Sequence, residues 1–203
     1  MKIICIGRNY VEHARELNNQ VPVEPVFFLK PDTAMIIRNR PFFYPEFSSN
    51  IHYEVELVLK INKNGRHIQP EFAHTYYDEI GIGIDFTARD VQDALKQKGL
   101  PWEKAKAFDG SAPVSSFVSL AHYPDPKNIQ FSLKKNGETV QDGNSGLMIF
   151  DFNTILVHIS TYVTLRMGDL VFTGTPAGVG PVTIGDRLEA FIEGEKMLKC
   201  DIK

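Results

Sequence analysis

A mainly β fold (α+β) with a few short helices is predicted by three observations. Short apolar runs recur along the chain, each closed by a turn signal. The 15 glycines and 12 prolines are spread along the sequence rather than clustered, as many short strands and loops require. Strand-like and helix-like segments do not alternate in the βαβ rhythm that a parallel sheet needs. With 203 residues and no repeat, low-complexity tract or linker-like shift, the chain reads as one domain over 1–203 with one core. A domain of this size buries roughly 70% of its unfolded surface.

The elements follow in order. Ile3 to Ile6 is a short apolar strand broken by Gly7, and Asn9 is placed to cap a helix running to about Leu17. In that helix Val11, Ala14 and Leu17 recur three apart on one face. A loop rich in Pro and Asn follows, then a strand over Val26 to Leu29 that ends before Pro31. Ile51 to Ile61 reads as a longer strand closing at a hairpin signal, Asn64-Gly65. Ile80 to Phe86, interleaved with glycine, is the pattern of a buried strand closely approached by its neighbours. Thr87 and Asp90 have capping-box-like spacing ahead of a helix with Val91, Ala94 and Leu95 as its apolar face and Gly99 and Pro101 as its stop. Beyond Pro113 strands dominate: Ile129 to Lys134, a turn at Asn136-Gly137, Leu170 to Thr173 and Arg187 to Ile192, with a helix over Ile155 to Leu165.

Charge and cysteine content narrow the function. Twenty-two bases against 25 acids give a net charge of −3 with no basic stripe, which argues against nucleic acid and anionic membranes as partners. Cys5 and Cys200 lie near opposite ends, with neither metal spacing nor a disulfide framework. No apolar stretch approaches the ~20 residues of a membrane span. The start of the chain reads as a strand rather than a leader, so the expectation is a soluble, cytoplasmic protein.

Four clusters could carry chemistry. Alternate residues of a strand share a face, so His52, Glu54 and Glu56 project together, either as a wet polar face or as a metal site. Asp85, at the end of an apolar run, favours the second, because a buried carboxylate needs a partner and oxygen-only ligands suit Mg²⁺ or Mn²⁺. His13 and Glu16 are i,i+3 neighbours on the first helix, either a solvated chance pair or a dyad able to deprotonate water. Thr173 to Gly180 is a Gly-rich loop without Walker or dinucleotide spacing, a structural turn or an anion-facing loop. Arg89 and Gln92 share a helix face just after Asp85, with Lys106 downstream; they are surface charges or the cradle of a small, oxygen-rich anion.

Together these segments resemble the fumarylacetoacetate hydrolase family. The resemblance rests on Gly7-Arg8-Asn9-Tyr10 with His13 and Glu16, Phe28-Leu29-Lys30-Pro31, His52-x-Glu54-x-Glu56, Asp85 to Gln92, Pro101-Trp102 with Lys106, and Thr173-Gly174-Thr175-Pro176 through Gly180. They occur in the family's order across Gly7 to Gly180, and the chain is similar to the family's short, single-domain acylpyruvase and oxaloacetate decarboxylase type. The resemblance implies a mixed β-roll or sandwich, a homodimer, and a divalent metal, Mg²⁺ or Mn²⁺, on Glu54, Glu56 and Asp85. It implies His13, Glu16 and Lys106 as catalytic residues, the first two a water-activating dyad on a lid-like segment. Arg89, Gln92, Thr175 and Lys30 are implied as substrate contacts, while Gln141 to Met148 is left without a role. The activity implied first is hydrolysis of a C–C bond in 2,4-diketo acids, through a pyruvate enolate held on the metal. Oxaloacetate decarboxylation and keto–enol tautomerisation share that enolate and stand as alternatives, and a catalytically idle, metal-stabilised binding protein is the alternative outside enzymes.

Overall fold

The longest apolar runs of the chain become inner strands. In the computed structural model, which describes residues 1–17 and 20–203, a six-stranded sheet runs in the order Val26–Lys30, Ile3–Gly7, Leu170–Phe172, Val55–Ile61, Tyr77–Ile84, Val118–Ser119. Ile3–Gly7 and Leu170–Phe172 pair in parallel and the other neighbours are antiparallel. Near-continuous hydrophobicity fits because both faces of these strands are covered. Ile4, Ile6, Leu57, Leu59, Ile80 and Ile82 belong to the main core, while Ile3, Cys5, Val58, Leu170 and Phe172 form a second cluster with Ala112 and Val114.

The strands of the second half alternate instead. Glu138–Asn144, Gln130–Lys135, Arg187–Ile192 and Glu195–Asp201 form a four-stranded antiparallel sheet. Phe131, Leu133, Leu188, Ala190, Ile192, Leu198 and Cys200 face the main core, and the intervening polar residues face out. Asn136 and Gly137, both at positive φ (54° and 90°), make the tight turn expected between the first two of these strands. This is the mainly β architecture with few helices that the sequence predicts. Cys5 and Cys200 are free and buried, and among the described residues no helix is long and apolar enough to cross a membrane.

Several local expectations are corrected. The predicted strand Ile51 to Ile61 is two strands in two sheets: Ile51–Tyr53 pairs with Thr87–Ala88 and Gly180–Pro181, and Val55–Ile61 lies in the six-stranded sheet. Asn64-Gly65 does not close a tight hairpin, since the 3-10 segment Pro70–Tyr76 intervenes before Tyr77 pairs with Ile61. Gly65 exchanges backbone hydrogen bonds with Leu165 instead. Thr87 lies in a short strand, and the Arg89–Gln97 helix starts after Ala88 with no side-chain cap. The buried residues of that helix are Arg89 and Gln92, whereas Val91 and Leu95 are half-buried and Ala94 is exposed, so the helix turns a polar face inward. The first helix is Val11–Glu16, begins after Tyr10, and is not capped by Asn9. The last helix spans Phe152–Tyr162, earlier than predicted, because the Asp151 side chain caps it through Thr154 N. The loop predicted after Leu17 includes residues 18 and 19, which lie outside the described residues; the strand after it extends to Lys30.

Glycines 81 and 83 show why the fifth strand of the main sheet tolerates no side chain there. A Cβ on Gly83 would stand 2.5 Å from the Phe172 ring and 3.1 Å from the Pro113 carbonyl oxygen, inside a filled layer. Gly83→Ala is therefore expected to lower unfolding stability by about 1 to 3 kcal/mol, the cost of overpacking a rigid core, measured by denaturant titration.

Candidate active site

Two strand breaks build the site. The chain leaves regular pairing at Glu54 and again at Asp85, and the two breaks are adjacent because Val55 pairs with Ile84 and Asp85 N–H donates to Glu54 O at 2.8 Å. Glu54 and Asp85 therefore leave their strands at one level, and Glu56 enters from the next residue pair, opposite Gly83. One carboxylate oxygen from each of Glu54, Glu56 and Asp85 lies within 4.8 Å of the other two, and the three residues are at most 5% exposed. His52 shares their alternation in sequence but not their location. It stays half-buried, with Nε2 3.0 Å from Asn50 Oδ1, because the break at Glu54 ends the common face.

Three cations press on these acids. Lys106, in the Glu103–Lys106 helix, donates from Nζ to Glu54 Oε2 and Asp85 Oδ2, both at 2.7 Å, and to Thr87 Oγ1 at 2.5 Å. Arg89 donates to Glu54 Oε1, and its other guanidinium nitrogen donates to Gln92 Oε1 at 2.6 Å. Lys30 Nζ lies 2.8 Å from Asp85 Oδ1 and donates to the carbonyls of Phe86, Lys106 and Ser111 and to Ser111 Oγ.

The charges sort accordingly. Burial pushes the Glu54 carboxyl up, but Lys106 and Arg89 outweigh it and hold the group well below the usual range. Burial likewise works against the Lys106 ammonium, and Asp85 with Glu54 overcomes it, so Lys106 stays charged. Glu56 goes the other way: burial first, then Asp85 and Glu54, raise it well above the ordinary carboxyl value. Its Oε2 accepts one hydrogen bond, 2.7 Å from Gly174 N–H. Gly174 adopts φ of 102°, and a Cβ there would stand 2.6 Å from Asn9 Cβ, so glycine lets the loop bring that N–H to the acid. Among the described residues, Asp85 Oδ1 and Arg89 Nε are buried without a directed hydrogen bond. A cluster of three buried carboxylates, one of them driven toward its protonated form by burial and by the other two, fits a hard divalent cation.

The pocket opens above the triad. It is lined by the buried Glu54, Glu56, Asp85, Lys106, Arg89, Gln92, Thr175 and His13 and, toward solvent, by the half-buried Gly7, Arg8, Phe28, Lys96 and Trp102. Nine of the ten residues singled out in the sequence thus gather here or border on it. His13 is buried, and burial holds its imidazole below the ordinary range against the opposing pull of Glu54 and Glu16. Glu16 lies 3.5 Å from His13 Nδ1, too long for a directed hydrogen bond, and accepts from Gly178 N–H at 3.1 and 3.2 Å. The dyad is therefore tied to the Gly-rich loop. Lys30 is the residue that does not fit its expected role. It is 1% exposed and lies behind Asp85, outside the pocket lining, because four oxygens of the chain besides Asp85 hold its ammonium there.

Sequence reasoning missed two supports. Asn9, read as a helix cap, donates to Thr173 O (2.8 Å) and Phe150 O (3.0 Å) and accepts from Phe150 N–H, locking the loop against the first strand. Gln141 is buried, accepts from Val55 N–H at 2.9 Å, and donates to Thr175 Oγ1 (2.9 Å) and Pro176 O (3.0 Å). Because that lone pair of Thr175 is occupied, its hydroxyl proton remains available to a ligand. The signal that could have found Gln141 is a buried-pattern polar residue in an alternating strand.

The fumarylacetoacetate (FAA) hydrolase C-terminal family matches residues 2–203. A mitochondrial protein of Bos taurus named as an oxaloacetate tautomerase is 43% identical over 201 residues, covering 99% of this chain and 91% of that one. An oxaloacetate tautomerase of Escherichia coli is 41% identical over 197 residues, 97% of this chain and 90% of that one. The crystal structure of fumarylpyruvate hydrolase from Pseudomonas aeruginosa, in complex with Mn²⁺ and pyruvate, superposes with a TM-score of 0.94 at 37% identity, over 100% of this chain and 89% of that chain.

Replacing Lys30 by Met should destabilise the fold by about 3 to 5 kcal/mol, because it strands a buried carboxylate and several carbonyls. Chemical denaturation measures this, and an unfolding midpoint unchanged from wild type would show that the buried ammonium contributes nothing.

Proposed function

The chain belongs to the fumarylacetoacetate hydrolase family, and from that we propose that it is a divalent-metal-dependent enzyme that interconverts the keto and enol forms of oxaloacetate or a close 2-keto acid. The observation that carries this is the buried triad Glu54, Glu56 and Asp85 facing Lys106, Arg89 and a neutral-leaning His13 across one pocket. Similarity to two proteins named as oxaloacetate tautomerases supports this alternative over cleavage of a C–C bond in acylpyruvates. In this reading one catalytic domain spans 1–203, and the enzyme works as a homodimer in the cytoplasm.

Glu54, Glu56 and Asp85 are the residues that would hold Mg²⁺ or Mn²⁺, which supplies Lewis acidity toward a neighbouring keto oxygen. The remaining steps belong to the chain. Arg89, through its unpartnered Nε, together with Gln92 and Thr175, binds and orients the carboxylate next to the keto group. Lys106, kept charged by Asp85 and Glu54, faces the oxygen on which negative charge develops during enolisation. His13, held toward its neutral form by burial, takes the proton from the carbon beside the ketone and returns it at that carbon or at the oxygen. Glu16 braces the imidazole and couples it to Gly178, so closing the helix over the pocket would align base and substrate together. Lys30 positions Asp85 from behind rather than touching the substrate.

A second reading is favoured by the 37% identical fumarylpyruvate hydrolase structure, whose ligand is pyruvate. The same dyad could deprotonate water for attack on the distal ketone of a 2,4-diketo acid. An activity panel separates the two. Tautomerisation of oxaloacetate, followed by loss of enol absorbance in the ultraviolet, should exceed its decarboxylation and acetylpyruvate hydrolysis in kcat/KM. Faster acetylpyruvate cleavage would install hydrolysis as the main activity.

Two substitutions test the assignments. Asp85→Ala or Glu54→Ala should remove divalent binding in calorimetry and with it turnover, while full residual binding would refute the triad. His13→Ala should lower kcat by about 10²- to 10⁴-fold, the usual contribution of a positioned acid–base group, with a smaller change in KM.

A further inference from the structure

Two cations in the outer part of the pocket are left unused by that chemistry. Arg8 follows the last residue of the Ile3–Gly7 strand and adopts φ of 61°, a left-handed conformation that side-chain-bearing residues rarely take. The other non-glycine residues with positive φ are Arg38, Asn39, His67, Asn136 and Glu193; Arg8 is the one that lines the pocket. Strained backbone of this kind concentrates where a side chain must be held in place. Lys96 lines the same pocket from near the end of the Arg89–Gln97 helix. The Arg8 guanidinium carbon stands 6.0 Å from the centroid of the Trp102 ring, and Lys96 Nζ stands 5.7 Å from that same ring.

The inner cations of the site are matched by carboxylates, Lys106 by Glu54 and Asp85 and Arg89 by Glu54. Among the described residues neither Arg8 nor Lys96 has an ion pair or a side-chain hydrogen bond. Both are half-buried, so their mutual repulsion is only partly screened. Burial pushes the Lys96 ammonium down, and Arg89, Arg8 and Lys106 push the same way, against Asp93 alone. These two like charges share one aromatic wall and, among the described residues, have no ion pair of their own, an arrangement that an anion would complete.

We infer that Arg8 and Lys96, with the Trp102 ring as their shared wall, form a second carboxylate subsite that makes the pocket selective for 2-keto dicarboxylic acids over 2-keto acids ending in a methyl group. The inference rests on the reading that a 2-keto acid enters this pocket with its first carboxylate and keto group directed inward. A four-carbon substrate then presents its distal carboxylate to the outer part of the pocket. Arg8 reads that group with a planar fork of donors, and Lys96 adds a compact charge.

The test compares oxaloacetate with 2-oxobutyrate, in which a methyl replaces the distal carboxylate. Competition binding and turnover are both measured on the full-length, metal-loaded enzyme. Wild type should prefer oxaloacetate, and Arg8→Met and Lys96→Met should each weaken its binding about 10- to 100-fold, the loss expected of one charge-assisted contact, while 2-oxobutyrate shifts less than about 2-fold. Lys96→Arg should keep most of the preference, which a merely structural defect in Lys96→Met would not predict. An equal loss for both ligands, or a preference that survives in both Met variants, would overturn the subsite. Wild type without preference would overturn it too. If wild type binds oxaloacetate selectively but does not tautomerise it, the proposed activity fails while the subsite stands.

Discussion

Three carboxylates buried within 4.8 Å of one another are the constraint around which the local structure is arranged. Like charges at that distance, away from bulk water, cannot all remain ionised unless opposite charge is brought among them. The chain brings three cations from three separate elements: Lys30 from the edge strand, Arg89 from a helix start and Lys106 from a four-residue helix. Glu54 and Asp85 share these cations, and Glu56 receives a backbone N–H. Glu56 is thus the acid whose charge is least compensated, and its raised protonation tendency marks where a further positive charge belongs. The strand breaks at Glu54 and Asp85 and the left-handed Gly174 all follow from getting these groups to one point.

That dependence explains what was readable in advance. Ile3–Gly7, Arg187–Ile192 and the Asn136-Gly137 turn are local consequences of apolar runs, alternation and turn chemistry, and they appear where the pattern puts them. The failures cluster near the site. Thr87 looks like a helix cap, but its hydroxyl accepts from Lys106 and donates to Asp85 O, so the helix begins two residues later, at Arg89. Asn9 looks like a cap for the same compositional reason, yet its amide and carbonyl are spent on Phe150 and Thr173. Ile51 to Ile61 reads as continuous because periodicity cannot register a strand that changes sheets at a charged residue. In each case a long-range polar contact displaced a short-range propensity.

The site residues themselves were legible as types and spacings, but their division of labour was not. Lys30 and Lys106 are both buried lysines a few residues from a motif, and only their partners separate them. Lys30 has four oxygens of the chain around it besides Asp85, and so is committed to structure. Lys106 reaches Glu54 and Asp85 from the pocket side, where it can also meet a ligand. Gln141 escaped notice because its partners come from Val55 and from Thr175-Pro176, over 30 residues away on either side.

The arrangement also resolves how an acidic centre receives an acidic substrate. The triad is matched in number by Lys30, Lys106 and Arg89, so the inner wall carries no excess of negative charge before any ion binds. A divalent cation on the triad would turn that wall positive, and the outer part of the pocket, where Arg8 and Lys96 have no ion pair among the described residues, already is. Field lines in a narrow, partly buried cleft are focused rather than screened, so this local excess outweighs the −3 carried by the chain as a whole. Matching Glu54 with lysine and arginine also keeps it ionised and ready as a ligand, which packing it among apolar groups would not do. The buried cations therefore act on both sides of the chemistry: they hold Glu54 charged for a metal, and they leave room for an anion to approach.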